Sequence, residues 1–304
     1  MACEVKKKLL IGFSGGETSA FMAQWLQRHK QDEYEMIFVF ANTGQENEKT
    51  LEFVDKCDKH FGLNVVWLEA VINPVNGKGT RAKIVNYETA YRHKLKNGID
   101  PFKAHIAKYG IPNMENLACT RELKTNTIKA YAREIGWKRR NYLTAIGIRT
   151  DEIDRVSERM KIDNIIYPLV TMQQMTKPKI NFYWRLQPFR LELKGYEGNC
   201  MVCHKKSLRK LLSIAKLTPE KFDWVIETEK EFENFIPKTH AHNTKIKLPV
   251  RFFRNHLSAN DIIEMSKQPF EIAKDDAQVF YEQQDLFGFE LDTSNGCSES
   301  CEAF

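Results

Sequence analysis

The 304-residue sequence has no long hydrophobic run, because no apolar stretch approaches the ~20 residues that a membrane-spanning helix needs. Its basic first residues lead into an apolar stretch that is too short for a signal-peptide core, and no small-residue cleavage site follows. We therefore expect a cytoplasmic protein that does not contact a membrane.

The sequence also lacks an even, regularly spaced set of cysteines. Its seven cysteines are an odd number and are spread unevenly along a long chain. This pattern argues against a disulfide framework and favours metal or redox chemistry at a subset of them. Cys57, in a predicted helix, is expected to pack in the core instead.

The turn after the first predicted strand is neither a Walker loop, which ends in Gly-Lys-Ser/Thr, nor a Gly-x-Gly-x-x-Gly fingerprint. It reads Ser14-Gly15-Gly16 and runs straight into a predicted helix. Glycine lets backbone N–H groups approach an anion, and a helix start adds unpaired donors and the positive end of a dipole. Because Ser14, Thr18 and Ser19 add hydroxyls to the same turn, we predict a phosphate or pyrophosphate site, and an ordinary strand–helix turn is the alternative.

Apolar segments alternate with amphipathic ones along the first part of the chain. This order predicts an α/β fold with a doubly wound, mostly parallel sheet that binds ligands at the carboxyl ends of its strands. We expect a nucleotide domain over residues 1–235 and a C-terminal extension over 236–304 with an acidic, mobile tail. The predicted strands are 8–13, 36–41, 64–69, 141–148 and 165–170, and the predicted helices are 17–30, 46–61, 119–135, 207–215, 219–235 and 259–267.

Two further segments are predicted to meet the glycine turn at this edge of the sheet. Asn42-Thr43-Gly44 follows the second strand and is placed to line an adenosine, although Thr43 three residues before Glu46 is also typical of a helix N-cap. Arg149 follows a later strand, where its guanidinium is expected to point into the ligand crevice and bind a phosphate through two hydrogen bonds.

Charge is distributed unevenly, although the net charge is only +6. Residues 73–112 hold eight Lys or Arg side chains against two acids, whereas residues 261–304 hold eleven acids against two lysines. The span 73–116 is predicted to be a basic helical or loop insertion over the site. It suits a polyanion such as a nucleic-acid acceptor, and a solvated surface without a partner is the alternative.

Four blocks occur in order along the chain, and together they resemble the phosphoadenylyl-sulfate-reductase-like family of the PP-loop ATP pyrophosphatases. The likeness is to the forms common in phages and bacteria, and it covers roughly residues 8–230. It implies an adenine nucleotide alpha hydrolase-like fold, ATP or an adenylyl sulfate with Mg²⁺, and a bacterial or infected-host cytoplasm. The blocks are Ser14-Gly15-Gly16-Glu17-Thr18-Ser19, Cys119-Thr120-Arg121-Glu122-Leu123-Lys124, Gly147-Ile148-Arg149-Thr150-Asp151-Glu152 and Cys200-x-x-Cys203.

The resemblance also assigns roles to residues of this chain. The chain departs from the family pattern at Thr18, where ATP pyrophosphatases usually have Asp. Its binding of Mg²⁺ is therefore expected to differ. Catalytic roles are implied for Ser14, Lys124, Arg149 and Asp151. Nucleotide binding is implied for Ser14, Gly15, Gly16, Thr18, Ser19, Asn42, Thr43, Gly44, Arg121 and Arg149.

Three cysteines are candidates for a metal site. Cys200 and Cys203 have the spacing that presents two thiolates to a metal, and the family likeness places Cys119 near them. Three thiolates suit a [4Fe–4S] cluster with one open iron, as in the tRNA 2-thiocytidine synthetases that this arrangement resembles. A structural Zn²⁺ completed by His204 and a chance pair of cysteines are the alternatives.

The end of the chain carries two further features. Gln283-Gln284-Asp285-Leu286-Phe287 resembles the Gln-x-x-Leu-Phe peptide that docks bacterial DNA proteins on the sliding clamp, although we prefer the interpretation that it holds the tail on the core. Cys297 and Cys301 are candidates for relaying a persulfide or resolving a disulfide, although we prefer the interpretation that they are incidental. The reductases' Glu-Cys-Gly-[Leu/Ile]-His tail is absent, and Ala118 replaces one cysteine of the pair in their iron–sulfur members.

The sequence therefore supports three functions. The first is an ATP-dependent, adenylylating sulfur-transfer enzyme that acts on a nucleic acid or small molecule. Its sulfur would come from the cluster or from a persulfide, and a cysteine desulfurase is a candidate donor. The second is an adenylyl-sulfate or phosphoadenylyl-sulfate reductase with a thioredoxin-type partner. The third is a non-catalytic binder of adenine nucleotide or nucleic acid.

Overall fold

The computed structural model describes residues 5–238 and 246–278. Within them the sheet has six strands: β1 (Lys7–Gly12), β2 (Tyr34–Asn42), β3 (Val66–Val71), β4 (Arg81–Val85), β5 (Leu143–Ala145) and β6 (Ile165–Ile166). They lie in the order β4-β3-β2-β1-β5-β6, and each pairing is parallel except that of β3 with β4. This confirms the predicted fold class.

Helices flank the sheet and follow most strands. They are α1 (Glu17–Lys30), α2 (Glu48–Phe61), α3 (Pro101–Tyr109), α4 (Thr127–Glu134), α5 (Pro168–Thr171), α6 (Lys177–Arg185), α7 (Leu208–Leu217), α8 (Asp223–Phe232) and α9 (Ala259–Ser266). A π-helix, Thr120–Asn126, leads into α4, and short 3₁₀ segments span Thr150–Arg155, Pro219–Phe222, Arg254–His256 and Asp276–Gln278. In the part of the chain described, no helix combines the length and apolar character needed to cross a bilayer.

The sheet is buried on both faces, which explains the continuous apolar runs of its central strands. Side chains alternate between faces along a strand, so Leu9 and Ile11 of β1 belong to one apolar cluster while Leu10 belongs to another. The first cluster includes Trp184 of α6, and the second includes Ile128 of α4. These two layers fix the carboxyl edge of the sheet as a rigid platform.

The prediction for the span 73–116 was wrong in one respect, because this span contributes strand β4 to the sheet as well as α3. Only Val85 of β4 is buried, so the strand shows no apolar pattern in sequence. Charged side chains such as those of Arg81 and Lys83 are common on edge strands, where they discourage pairing with other chains.

Several element boundaries also differ from the predictions, and two of these differences have a clear local cause. The strand over 165–170 ends at Ile166 because Pro168 begins α5, where its fixed φ suits the first helical turn. Helix α2 begins at Glu48 with Asn47 as N-cap, so Thr43 does not cap it.

The C-terminal extension packs against the preceding helices. Phe252, Phe253 and Ile262 share one apolar cluster with Leu211 and Trp224. The domain boundary at residue 235 stays a prediction. The clamp-like peptide at residues 283–287, the tail cysteines Cys297 and Cys301, and the acidic tail lie outside the described residues.

Candidate functional site

The glycine turn, residues 14–19, joins the end of β1 to the start of α1. Gly15 has a φ of +89°, and a Cβ built there would lie 2.6 Å from Cγ2 of Thr50, so only glycine fits. The Ser19 hydroxyl accepts a hydrogen bond from the Ser14 N–H at 3.2 Å and donates one to the Gly16 carbonyl at 2.9 Å. The first N–H groups of a helix have no partner within the helix, so this turn has the geometry of an anion site.

Arg149 is buried at the same edge and is held on two sides. Its Nη1 donates to Thr18 Oγ1 at 3.1 Å, and its Nε donates to Asp151 Oδ1 at 3.0 Å. Gly147 lets this segment pass close to α1, since a Cβ there would lie 3.1 Å from the Cα of Ser19. The structure therefore brings Arg149 to the glycine turn, with Asp151 as its anchor.

Lys177, at the start of α6, is a second buried cation beside Arg149 that the sequence interpretation missed. Its backbone N–H donates to Asp151 Oδ2 at 3.2 Å. Burial, together with the charge of Arg149, lowers the pKa of Lys177 to about 8, and Asp276 and Glu17 oppose this shift. Lys177 is not part of a sequence motif. Its position beside Arg149 therefore follows only from the packing of α6 against α1.

Glu17, the first residue of α1, is buried under a fork of hydrogen bonds from Arg190. Arg190 Nε and Nη2 lie 3.0 Å from its two carboxylate oxygens, and the Leu191 N–H donates to it at 3.2 Å. Burial raises the pKa of Glu17, whereas Arg190 lowers it. Trp184 Nε1 also donates to the Glu17 carbonyl at 2.9 Å, so α6 fixes the start of α1.

The loop after β2 uses its predicted nucleotide-binding residues for its own structure. Asn42 is fully buried, and its amide nitrogen donates to Glu69 Oε1 at 2.8 Å and to the Tyr91 carbonyl at 3.0 Å. Gly44 has a φ of +84° and donates its N–H to Asn42 Oδ1 at 3.1 Å. Thr43 donates its N–H and hydroxyl to Glu46.

Lys124 reaches this loop from the π-helix. Its Nζ lies 3.7 Å from Glu46 Oε1, and both side chains are buried. Burial raises the pKa of Glu46, and the charge of Lys124 acts in the opposite direction. Such π-helical turns recur at functional sites. Arg121, in the same turn, is mostly exposed and its Nε lies 2.9 Å from Glu122 Oε1.

The segment before the Cys-x-x-Cys pair is bonded directly to both loops. Asn199 donates from Nδ2 to the Ser14 carbonyl at 2.8 Å, and its own carbonyl accepts from the Asn47 N–H at 2.7 Å. The Met201 N–H donates to the Gln45 carbonyl at 2.8 Å. In the sequence, the Gly198-Asn199 pair just before Cys200 is the feature that could have predicted these hydrogen bonds.

Cys119, Cys200 and Cys203 line one cavity of about 30 Å³, which we call the thiol cavity. This volume exceeds the roughly 10–15 Å³ that one water needs. Gln45 and Thr120 also line it, and within the described residues Gln45 Nε2 and Thr120 Oγ1 are buried without a hydrogen-bond partner. The remaining wall is made of Thr43, Phe102, Leu123, Lys124, Val202, His204, Trp224 and Phe252.

The three cysteines meet at the thiol cavity but do not form a ready metal centre. Over residues 5–238 and 246–278, no group of three or more His, Cys, Asp or Glu side chains is arranged to hold a metal ion. The [4Fe–4S] and Zn²⁺ interpretations, like Mg²⁺ and ATP, stay predictions. Cys57 is buried in the main apolar cluster, where burial raises its pKa, which confirms its packing role.

Two comparisons with known proteins agree with this arrangement. A family model described as the phosphoadenosine phosphosulfate reductase domain matches residues 8–164, which include the glycine turn, the loop after β2, the π-helix and Arg149. The chain is also 28% identical over 296 residues to an uncharacterized nin region protein of Escherichia phage lambda, covering 97% of this chain and 94% of that protein. The match confirms the resemblance drawn from the four blocks.

Proposed function

Because the chain belongs to the phosphoadenosine phosphosulfate reductase domain family, whose members are nucleotide- and sulfur-related enzymes, we propose that it adenylylates an acceptor with ATP and then transfers sulfur to it. One observation carries this proposal. Asn199 bonds to the carbonyl of Ser14 and to the backbone of Asn47, so the cysteine segment and the predicted phosphate site share one edge of the sheet.

In the first step, an oxygen of the acceptor attacks the α-phosphorus of ATP. A new O–P bond forms, the bond from the α-phosphorus to the bridging oxygen breaks, and pyrophosphate leaves. The glycine turn binds the departing phosphates through its N–H groups, and Arg149 and Lys177 supply positive charge near them. Mg²⁺, when bound, would neutralise further phosphate charge.

In the second step, sulfur arrives as the outer atom of a persulfide on a cysteine of the thiol cavity. This sulfur attacks the acceptor carbon that carries the adenylate, and AMP leaves. A second cavity thiolate then attacks the cysteine sulfur and releases the thiolated acceptor. The resulting disulfide between the two cysteines is reduced by an external dithiol, which balances the electrons.

The test is an anaerobic assay with ATP, a persulfide donor, and bulk tRNA or single-stranded DNA as acceptor probes. We expect release of pyrophosphate and AMP that depends on the acceptor, and its loss in Arg149→Lys. Formation of ADP, or AMP release that is the same without any acceptor, would contradict the proposal.

A reductase is the second candidate, and the contact between Arg149 and Thr18 favours it. Where ATP pyrophosphatases carry a carboxylate for Mg²⁺, this chain has a hydroxyl that accepts a hydrogen bond from a guanidinium. A substrate that releases no pyrophosphate, such as an adenylyl sulfate, needs no such carboxylate. Thiol-dependent release of sulfite from adenylyl sulfates, abolished by Cys200→Ser or Cys301→Ser, would establish this alternative.

A further inference from the structure

A second cavity, of about 220 Å³, lies between residues 109–116 and the C-terminal extension. We call it the basic cavity, because four of its side chains can carry positive charge and one carries negative charge. The cationic ones are Lys247, Arg251, Arg254 and His256, and the acidic one is Glu115. None of its lining residues belongs to the glycine turn, to the loop after β2 or to the segment around Arg149, so this cavity is separate from the predicted nucleotide site.

The two arginines of the basic cavity are fixed in its wall. Arg251 Nη1 pairs with Glu233, and Arg254 Nη2 donates to the Lys205 carbonyl at 3.1 Å. Lys247, by contrast, is exposed. Partial burial lowers the pKa of His256, and the charges of Lys247 and Arg251 lower it further, whereas Asp261 and Glu115 oppose them. With Arg251 paired to Glu233 and the pKa of His256 lowered, the positive charge that favours an anion comes from Lys247 and Arg254.

The backbone at the rim has an uncommon conformation. Asn255 and His256 are consecutive non-glycine residues with φ values of +58° and +62°. Side chains rarely adopt this region, and such residues cluster at ligand sites. Both residues line the basic cavity.

The linings of the basic cavity and the thiol cavity include consecutive residues of the chain. Phe252 lines the thiol cavity, and the next residue, Phe253, lines the basic cavity. Arg254 bonds to the carbonyl of Lys205, two residues after Cys203. Residues 252–254 therefore contribute to the linings of both cavities and contact the segment that follows Cys203.

We propose that the basic cavity binds the phosphodiester backbone of a single-stranded nucleic acid, whose neighbouring base is the acceptor presented to the thiols. This rests on the proposed function and names its acceptor. A concave site of this volume suits an unpaired or extruded nucleotide rather than an intact duplex. Tyr109 and Phe235, which also line it, offer rings on which a base can stack.

The test is fluorescence anisotropy of the full-length protein with a labelled 20-nucleotide single strand, in DNA and RNA forms, without ATP. Lys247→Gln removes a cavity cation, His256→Asn removes the imidazole that lines the cavity, and Asn tolerates the left-handed backbone at position 256. Lys267→Gln is the matched control, since Lys267 is an exposed lysine at the C-cap of α9 and does not line the cavity.

We expect the dissociation constant for the strand to rise about 5- to 10-fold in Lys247→Gln and to change less than twofold in Lys267→Gln. The slope of log affinity against log salt should fall by roughly 0.7, which corresponds to one lost phosphate contact on a single strand. Binding by Lys247→Gln and His256→Asn that equals the parent's would overturn the proposal.

Binding of a duplex and competition by other anions identify the ligand. A duplex of the same sequence should bind more weakly than the strand, and inorganic phosphate should compete only at far higher concentration. Competition by phosphate as strong as by the strand would mean a site for free phosphate, and competition by polyglutamate as strong as by the strand would mean a site for acidic peptides. Either result overturns the proposal. Because no ATP is present, failure here is distinguishable from failure of adenylylation, which is measured as pyrophosphate release.

Discussion

The glycine turn and the thiol cavity lie on the same edge of the sheet but differ in how far their polar groups are satisfied. In the turn, the Ser19 hydroxyl bonds both to the Ser14 N–H and to the Gly16 carbonyl, and Thr18 accepts from Arg149. In the thiol cavity, Gln45 Nε2 and Thr120 Oγ1 are buried and, among the described residues, have no hydrogen-bond partner.

This difference indicates two ways to build a binding site. The turn is held in one shape by its own short-range bonds and by a glycine that no other residue can replace. The cavity is held by its surroundings, and leaving two buried polar groups without partners costs about 1–3 kcal/mol each, which a bound ligand could recover. A rigid turn should not tolerate substitution, whereas a cavity that lacks its ligand should tolerate the loss of an unpartnered polar group.

The largest expected effect is that of Gly15→Ala. The new Cβ meets Thr50 and requires a φ that alanine disfavours, so the free energy of unfolding should fall by roughly 2–4 kcal/mol. Gly62→Ala is the matched control, since Gly62 also has positive φ but no atom within 4 Å of the added Cβ. Urea unfolding of both variants separates the clash from the backbone strain. Equal losses would show that the turn is not tightly packed.

Arg149→Lys should weaken nucleotide binding next most strongly. Lysine cannot keep the hydrogen bonds to both Thr18 and Asp151, and charge-assisted bonds are worth about 1.5–3 kcal/mol, or roughly 10- to 150-fold in affinity. Titration calorimetry with ATP and with adenylyl sulfate measures the change. Arg159→Lys, at an exposed ion pair, is the control. Unchanged affinity in Arg149→Lys would show that this guanidinium does not bind the nucleotide.

The buried charge of Lys177 should make stability depend on pH. Its pKa is about 8 in the folded protein and 10.5 as the ordinary value, so the folded state holds fewer protons than the unfolded chain between these pH values. Stability therefore rises with pH in this window, by about 1 kcal/mol between pH 8 and pH 9 relative to Lys177→Met. Chemical unfolding at both pH values gives the difference. An identical pH dependence in both proteins would contradict a buried, charged Lys177.

The smallest expected effect on stability is that of Gln45→Met. Replacing an unpartnered buried amide with an apolar side chain of similar length should leave the protein as stable or up to about 1 kcal/mol more stable. The same variant should transfer sulfur more slowly if the amide orients a ligand. Gln31→Met, at an exposed position, is the control for both measurements. A clear loss of stability would mean that the Gln45 amide has a structural partner.

Local patterns predicted the central elements of the fold but not its edges. Helix α1 was predicted at its observed bounds, because Gly16 marks its start and its apolar side chains recur at helical spacing. Strand β4 was missed because four of its five residues are not buried, and an edge strand is recognised by its pairing partner rather than by its own composition.

The candidate functional site likewise combines residues that local motifs predicted with residues that they did not. The glycine turn, Arg149 and the three cysteines stand in the sequence as motifs, and the structure brings them to one edge of the sheet. Lys177 and Gln45 belong to that edge as well, but neither lies in a recognisable sequence motif. Their importance comes from contacts with residues that are distant in sequence, which no short pattern records.

The sequence by itself determined that β1 ends in a turn only glycine can make, since the steric limits on φ act within a few residues. It also determined the parallel sheet, because apolar runs alternating with amphipathic helices have few other ways to bury their faces. Only the tertiary structure decided that the thiols adjoin this turn and that a basic cavity lies behind them. Burial, pKa and cavity shape depend on side chains that meet through packing, and packing brings together residues far apart in the chain.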